Sequence, residues 1–338
     1  MTASPNLIGI GSGLVAAVLF ASLANNSLLA ALLFYLMPLP LLLAGLGWGV
    51  RAAILSCVTA LVLVGIFLGG SMALTYGLCI GVPGVILAYL TLLRRHGAPP
   101  AAAAAGSRPP PQVEWYPLGT IVAWTALMGG CLVAIAFGLF ALFGGDSESY
   151  RHGVRALFDA GVVNRLEALM GPNFGPAELD RLADRLARVI LPSFASSSWM
   201  LVMLGNLWLA AKSAAISGLL DRPVPDVTKA DYPPLLAAGF FAALGLSFTP
   251  GLLGLAGVGF AGAFGCAFVI LGMGVIHVVL SPTVMKPFIL VFIYLGLSLT
   301  PWIAPVIAAV GLLEPLLHLR QRSVQPTPPP GSGAGPNR

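Results

Sequence analysis

Charge is scarce in this chain: Asp, Glu, Lys and Arg make up 9% of its 338 residues, against roughly a quarter in soluble domains. A water-soluble fold of this size is thereby excluded. The four cysteines, Cys57, Cys79, Cys131 and Cys266, stand singly inside apolar runs, which excludes a disulfide framework or a C-x-x-C zinc site. There is no Gly-Lys-Ser or Gly-Lys-Thr phosphate loop, so ATP hydrolysis by the P-loop route is excluded as well. Neither H-E-x-x-H nor G-x-S-x-G occurs, and no carboxylates pair within the apolar runs. The chain therefore reads as a non-enzyme for which neither a cofactor nor a metal is expected. Its net charge of +5 sits on scattered loop residues that never alternate with aromatics, so nucleic acid is not an expected partner.

What is abundant is apolar length. The sequence is 58% hydrophobic with a mean hydropathy of +0.93, and lipid is the solvent that tolerates such a composition. Runs long enough to cross a bilayer fall near 7–24, 27–48, 52–70, 72–93, 117–144 and 192–220. Residues 233–281 read as two spans broken near Thr249-Pro250-Gly251. Residues 287–319 read as two short ones broken at Pro301 and Pro305, or as one kinked helix, because proline removes a backbone donor. The expectation is an all-α polytopic helical membrane protein of about nine to ten transmembrane spans. No Lys or Arg precedes residues 7–24, so that run is a retained first span rather than a cleaved signal.

Basic residues orient the spans, since Lys and Arg collect in short cytoplasmic loops. With the N-terminus inside, Arg51, Arg94, Arg95, Arg108, Arg222, Lys229, Lys286, Arg320 and Arg322 all share the cytoplasmic side. Both termini are then cytoplasmic. The exception is residues 147–190, where arginines and carboxylates balance. This outer segment shows two amphipathic helical stripes: Val154, Leu157, Phe158, Val162, Leu166, Leu169 and Met170, then Leu179, Leu182, Leu186, Val189 and Ile190. Such a pair serves as a lid, a partner's docking surface or helices lying on lipid.

The expected organisation is a first membrane block of four spans (1–96), a flexible cytoplasmic linker (97–116), a second block (117–322) carrying the outer helices, and a disordered Pro/Gly/Ser-rich tail (323–338). Small residues at every fourth position, Gly9, Gly13, Ala17 and Ala21, suit either an internal helix contact or docking of another subunit. Gly257, Ala261 and Gly265 form a second such stripe.

Few polar groups lie at membrane depth, where they betray substrate sites. Asn25 and Asn26, at the outer junction of the first two spans, are either a turn or ligand-binding residues. Asn206, in the middle of the sixth span, bonds either another helix or a substrate. His277 is either a satisfied buried histidine or a ligand or proton relay, and Lys212 snorkels toward water. Glu314, His318, Arg320 and Arg322 form a local charged cluster.

Phe34 to Ala53 (FYLMPLPLLLAGLGWGVRAA), Tyr76 to Arg95 (YGLCIGVPGVILAYLTLLRR), Leu271 to Leu280 (LGMGVIHVVL) and Gly311 to Arg322 (GLLEPLLHLRQR) together resemble the YybS-like bacterial membrane proteins, domain of unknown function 2232. The first half of that family is distantly similar to the substrate-binding subunits of energy-coupling-factor transporters. The resemblance implies a small-molecule-binding component of an uptake transporter that borrows ATP hydrolysis from separate coupling and ATPase subunits, docked through Gly9, Gly13, Ala17 and Ala21. About four extra spans and the outer helices depart from that pattern. The alternative is a non-transporting membrane scaffold or regulator that recruits another protein. A proton-coupled carrier built on His277 and Lys212 is a third reading.

Overall fold

A computed structural model describes residues 4–22, 27–96, 113–158, 176–223, 228, 230–300 and 302–324. Among them the protein is all-α apart from one two-stranded ribbon, and it is a polytopic membrane protein. Six helical segments are long and apolar enough to cross a bilayer: Leu28–Trp48, Val50–Leu68, Gly70–Leu92, Leu118–Leu142, Glu178–Ile216 and Gly251–Val279. Four further apolar helices have 14 to 17 residues. At about 1.5 Å per residue these reach roughly 21–26 Å, short of the ~30 Å hydrocarbon core. Among the described residues, the nine to ten expected spans thus correspond to six helices of full crossing length and four shorter ones.

The chain forms two compact units, residues 1–225 with 231–264, and residues 226–230 with 265–338. The division does not fall at the linker, because helices on both sides of the linker pack together in the first unit. That unit holds α1 (Pro5–Ala21), α2 (Leu28–Tyr35), α3 (Leu39–Trp48), α4 (Val50–Leu68), α5 (Gly70–Tyr76), a π-turn (Gly77–Gly81) and α6 (Val82–Leu92). It continues with strands β1 (Arg94–His96) and β2 (Val113–Trp115), α7 (Leu118–Leu142), α8 (Ser147–Phe158), α9 (Pro176–Arg185), a second π-turn (Leu186–Ile190), α10 (Leu191–Ile216) and α11 (Pro234–Ser247). Helix α12 (Gly251–Val279) begins in it. A central apolar cluster joins Leu41, Leu42 and Leu46 of α3, Cys57 of α4, Leu87 of α6, Ile121 of α7, and Met203, Leu207 and Ala210 of α10.

Two single glycines reverse the chain. Gly49 (φ 92°, ψ 168°) and Gly69 (φ 95°, ψ 163°) each end one helix and begin the next. The Gly49 amide donates to the Gly45 carbonyl while its own carbonyl accepts from Ala52, and Gly69 repeats the pattern with Gly65 and Ala73. This backbone region is essentially closed to residues with a Cβ, so the spans meet through one-residue connections.

The α1 stripe faces inward. A Cβ on Gly9 would lie 2.8 Å from Leu55 Cβ, and one on Gly13 would lie 2.6 Å from the Ser56 carbonyl oxygen. Gly9, Gly13 and Ala17 are buried and Ala21 is half-buried, with α1 packed along α4. The face expected to dock a coupling subunit is therefore covered by the chain itself. The second stripe is likewise internal at Gly257, whose Cβ would lie 2.6 Å from the Ser247 nitrogen of α11; Ala261 and Gly265 are half-buried.

A two-stranded ribbon flanks the expected linker and takes in its residues 113–115. Arg94, Arg95 and His96 pair antiparallel with Trp115, Glu114 and Val113, and residues 97–112 and the tail beyond 324 lie outside the described residues. The outer segment also differs from two free amphipathic helices. Helix α9 runs through the π-turn directly into α10 as one segment, Glu178–Ile216, and Phe158 of α8 packs on Leu179 and Ala183 of α9. Pro192 explains the π-turn: it has no amide for the Arg188 carbonyl, and the wider turn absorbs the clash.

The second unit comprises the later part of α12, α13 (Lys286–Leu299), α14 (Ile303–Leu317) and α15 (Leu319–Val324). Gly272 of α12 meets the Ile307 backbone and Gly311 of α14 meets that of Phe268, so α12 and α14 touch backbone to backbone. Helix α14 ends at His318 in the left-handed conformation (φ 50°). The Glu314 carboxylate then accepts from the Leu319 and Arg320 amides at 3.1 and 3.2 Å and from Arg320 Nε at 2.9 Å.

Candidate functional site

Proline interrupts two helices of the first unit near mid-span. Between α2 and α3 the chain makes a turn at 36–38, and the Leu39 amide donates to Leu36 instead of Tyr35. Pro38 and Pro40 impose this, since neither can supply an amide and each crowds the turn before it. The Tyr35 carbonyl is left without its helical donor. In the segment Gly70–Leu92, the residue four beyond Cys79 is Pro83, so the Cys79 carbonyl likewise lacks an α-helical donor; the π-turn Gly77–Gly81 stands at this place.

Helix α10 repairs both. Asn206 Nδ2 donates to the Tyr35 carbonyl at 2.9 Å and also to Val202 at 2.8 Å, while Trp199 Nε1 donates to the Cys79 carbonyl at 2.7 Å. The two side chains stand seven residues apart, two helical turns along one face. Bilayer interior offers no water to exposed backbone groups, so each break needs a protein partner.

Polar atoms remain unmatched around these breaks. Tyr76, the last residue before the π-turn, is completely buried, and its hydroxyl has no hydrogen-bond partner. Its ring lies edge-on to Phe20 at 5.6 Å in a cluster that includes Met37 of the first break. Asn206 is 6% exposed, and its Oδ1 is unpartnered, as is the buried Ser56 hydroxyl. All three groups are neutral hydrogen-bonding atoms. Among the described residues no group of three or more His, Cys, Asp or Glu could hold a metal ion.

No known protein family, curated protein or solved structure matches this chain. Of the residues picked out from sequence, Asn206 lies at the first break, whereas His277 lies in the second unit. The Nδ1 of His277 is 2.8 Å from the Met273 carbonyl, and its ring stands 6.0 Å from Tyr294. Asn25 and Asn26 lie outside the described residues. Lys212 is exposed, with its ammonium 5.9 Å from the Trp208 ring.

Tyr76, Ser56 and Trp199 were not visible as site residues from sequence. The available signal was proline spacing: a proline inside an apolar run marks the carbonyl four residues earlier as one that needs another donor. From sequence alone Arg222 is only an orienting charge. It is 6% exposed and donates to the Thr91 carbonyl at 3.1 Å and the Tyr116 carbonyl at 2.9 Å. It thereby ties the C-terminal turn of α6 to the residue following β2. Desolvation lowers its pKa from the ordinary guanidinium value, and the last-turn carbonyl dipoles favour a cation there.

Proposed function

We propose that the protein binds a small uncharged, hydrogen-bonding molecule at the interrupted helices and acts as the capture component of an uptake system whose ATPase is a separate protein. The observation that carries this reading is the burial of the Tyr76 hydroxyl and Asn206 Oδ1, both unpartnered, beside two helix breaks. Transporters place substrate sites at discontinuous helices near the bilayer midplane, and an unmet buried polar group costs about 1–3 kcal/mol, which a bound ligand recovers. The resemblance to the YybS-like family supports the same reading, with both termini in the cytoplasm of a bacterial inner membrane. Because α1 is covered by α4, a coupling subunit would dock on another face.

A thermal-shift panel of uncharged small molecules on the purified protein tests the proposal. A binder should lose about ten-fold in affinity on Tyr76→Phe, the worth of one hydrogen bond. Equal affinity in Tyr76→Phe and Asn206→Leu would sink it.

A scaffold role is the second reading, and the α8–α9 pair favours it. Arg151 meets Asp184 at 2.7 Å, Arg155 pairs with Asp180, and Tyr150 Oη donates to the Ala187 carbonyl. These hold a braced platform with Glu148, His152, Arg181 and Arg185 exposed. Retrieval of only ATPase and coupling subunits with the protein would rule the scaffold role out.

A further inference from the structure

The second unit contains an apolar groove of about 230 Å³ at its basic end, lined by Val275, Ile276, Val279, Leu280, Ile293 and Val310, with Ile289 and Leu319 completing it. No polar surface lines it. That volume lies below the roughly 300–1,000 Å³ of small-molecule sites, and a wall without donors or acceptors offers nothing to orient a polar ligand. A single aliphatic chain is the shape and chemistry that fit.

The rim decides what the chain carries. Lys286 stands one turn before Ile289, and its ammonium lies 3.3 Å from the hydroxyl of Ser281, next to the lining residue Leu280. Arg322 is exposed one turn beyond Leu319. Neither has a carboxylate partner among the described residues, because the nearby buried carboxylate, Glu314, is committed to Arg320. Arg320 in turn reaches the Thr228 and Ala230 carbonyls at 2.9 and 3.1 Å. Two cations without a carboxylate partner among the described residues, each within a turn of a lining residue, give an apolar groove the chemistry for a hydrophobic tail with an anionic head.

We propose that this groove binds one anionic phospholipid of the surrounding bilayer, with an acyl chain against Val275, Ile293 and Val310 and the phosphate on Lys286 and Arg322. The site is independent of the interrupted helices in the first unit.

The test reconstitutes the full chain into nanodiscs of equal parts phosphatidylglycerol and phosphatidylcholine, releases it, and quantifies the retained lipid by mass spectrometry. The wild type should retain phosphatidylglycerol selectively. The double variant K286A/R322A should retain it about thirty-fold less well, because two cations at about 1 kcal/mol each lose about 2 kcal/mol together and about 1.4 kcal/mol is tenfold. Ile293→Trp, which fills the groove and leaves both charges, should lose the lipid as well, and an unchanged melting temperature shows that either variant is folded. Equal retention of both lipids by the wild type, or unaltered phosphatidylglycerol retention in both folded variants, overturns the proposal.

Discussion

Trp199 offers a direct test of how the interrupted helices are held. Trp199→Phe keeps most of the ring and removes the indole donor from the Cys79 carbonyl, a 2.7 Å bond. Interhelical hydrogen bonds in membranes average about 0.6 kcal/mol and reach about 1.7, because the freed partner usually finds another donor. Here the α-helical donor for Cys79 would come from position 83, which is proline, so the loss should approach the 1–3 kcal/mol of an orphaned buried acceptor. About 1 kcal/mol of apolar burial is lost with the smaller ring. In a Pro83→Ala background the amide returns and the carbonyl is satisfied within its own helix. Trp199→Phe should then cost only the packing difference, giving a coupling of about 1–2 kcal/mol, well above the roughly 0.3–0.5 kcal/mol within which independent sites add. Reversible unfolding in mixed micelles, followed by far-UV circular dichroism, measures all four corners of the cycle. A coupling indistinguishable from zero would refute the reasoning that proline creates the need Trp199 meets.

Three further outcomes are expected. Gly49→Ala and Gly69→Ala should each destabilise the protein by about 1–3 kcal/mol, because both positions hold a glycine-only conformation, whereas Gly11→Ala, with open space around it, should be nearly neutral in the same unfolding assay. Glu314→Ala should cost about 3–5 kcal/mol, since the carboxylate is 4% exposed and holds Arg320 together with two backbone amides; loss of less than about 1 kcal/mol would mean the pair behaves as a surface one. Asp146 accepts from the Ser149 amide and hydroxyl at 2.7 and 2.6 Å, and these bonds lower its pKa below 3.8. Its folded value is depressed, so its contribution is present above the ordinary Asp value and is lost as pH falls through the folded one; hydrogen exchange at the Ser149 amide should speed up in that window and be independent of pH there, after correction for intrinsic rates, in Asp146→Asn.

Much of this architecture was legible because apolar length is a strong signal. Each expected span has a helix, and the break expected near Thr249-Pro250-Gly251 falls between α11 and α12, with Gly251 at φ 78°. What escaped was local. Pro38, Pro40 and Pro83 sit inside apolar runs that read as continuous, and Pro192 sits where one begins, while the backbone turns or widens at each. Arg94-Arg95-His96 has no alternating apolar pattern, and only its pairing with Val113–Trp115 makes it a strand. Of the two outer stripes, Val154, Leu157 and Phe158 fall in α8 and Leu179 and Leu182 in α9, whereas Val162, Leu166, Leu169 and Met170 lie outside the described residues; the stripes could not show that α9 continues into α10, because a stripe carries no information about where a helix stops without a cap or a breaker.

The candidate site was less legible for the same reason. Asn206 stood out as an amide in an apolar span, but its partner is a carbonyl 171 positions away, exposed by a turn that periodicity does not reveal. Tyr76 looked like one more aromatic. Its importance comes from complete burial without a partner for its hydroxyl, a property of the packed fold alone.

The most direct measurement is native mass spectrometry of the gently extracted protein from its own membranes, comparing wild type with Tyr76→Phe and Asn206→Leu. One uncharged small molecule should be retained per wild-type chain and lost from both variants while each stays folded. A wild-type chain that carries none, or variants that retain it equally, would contradict the claim that the interrupted helices form a binding site.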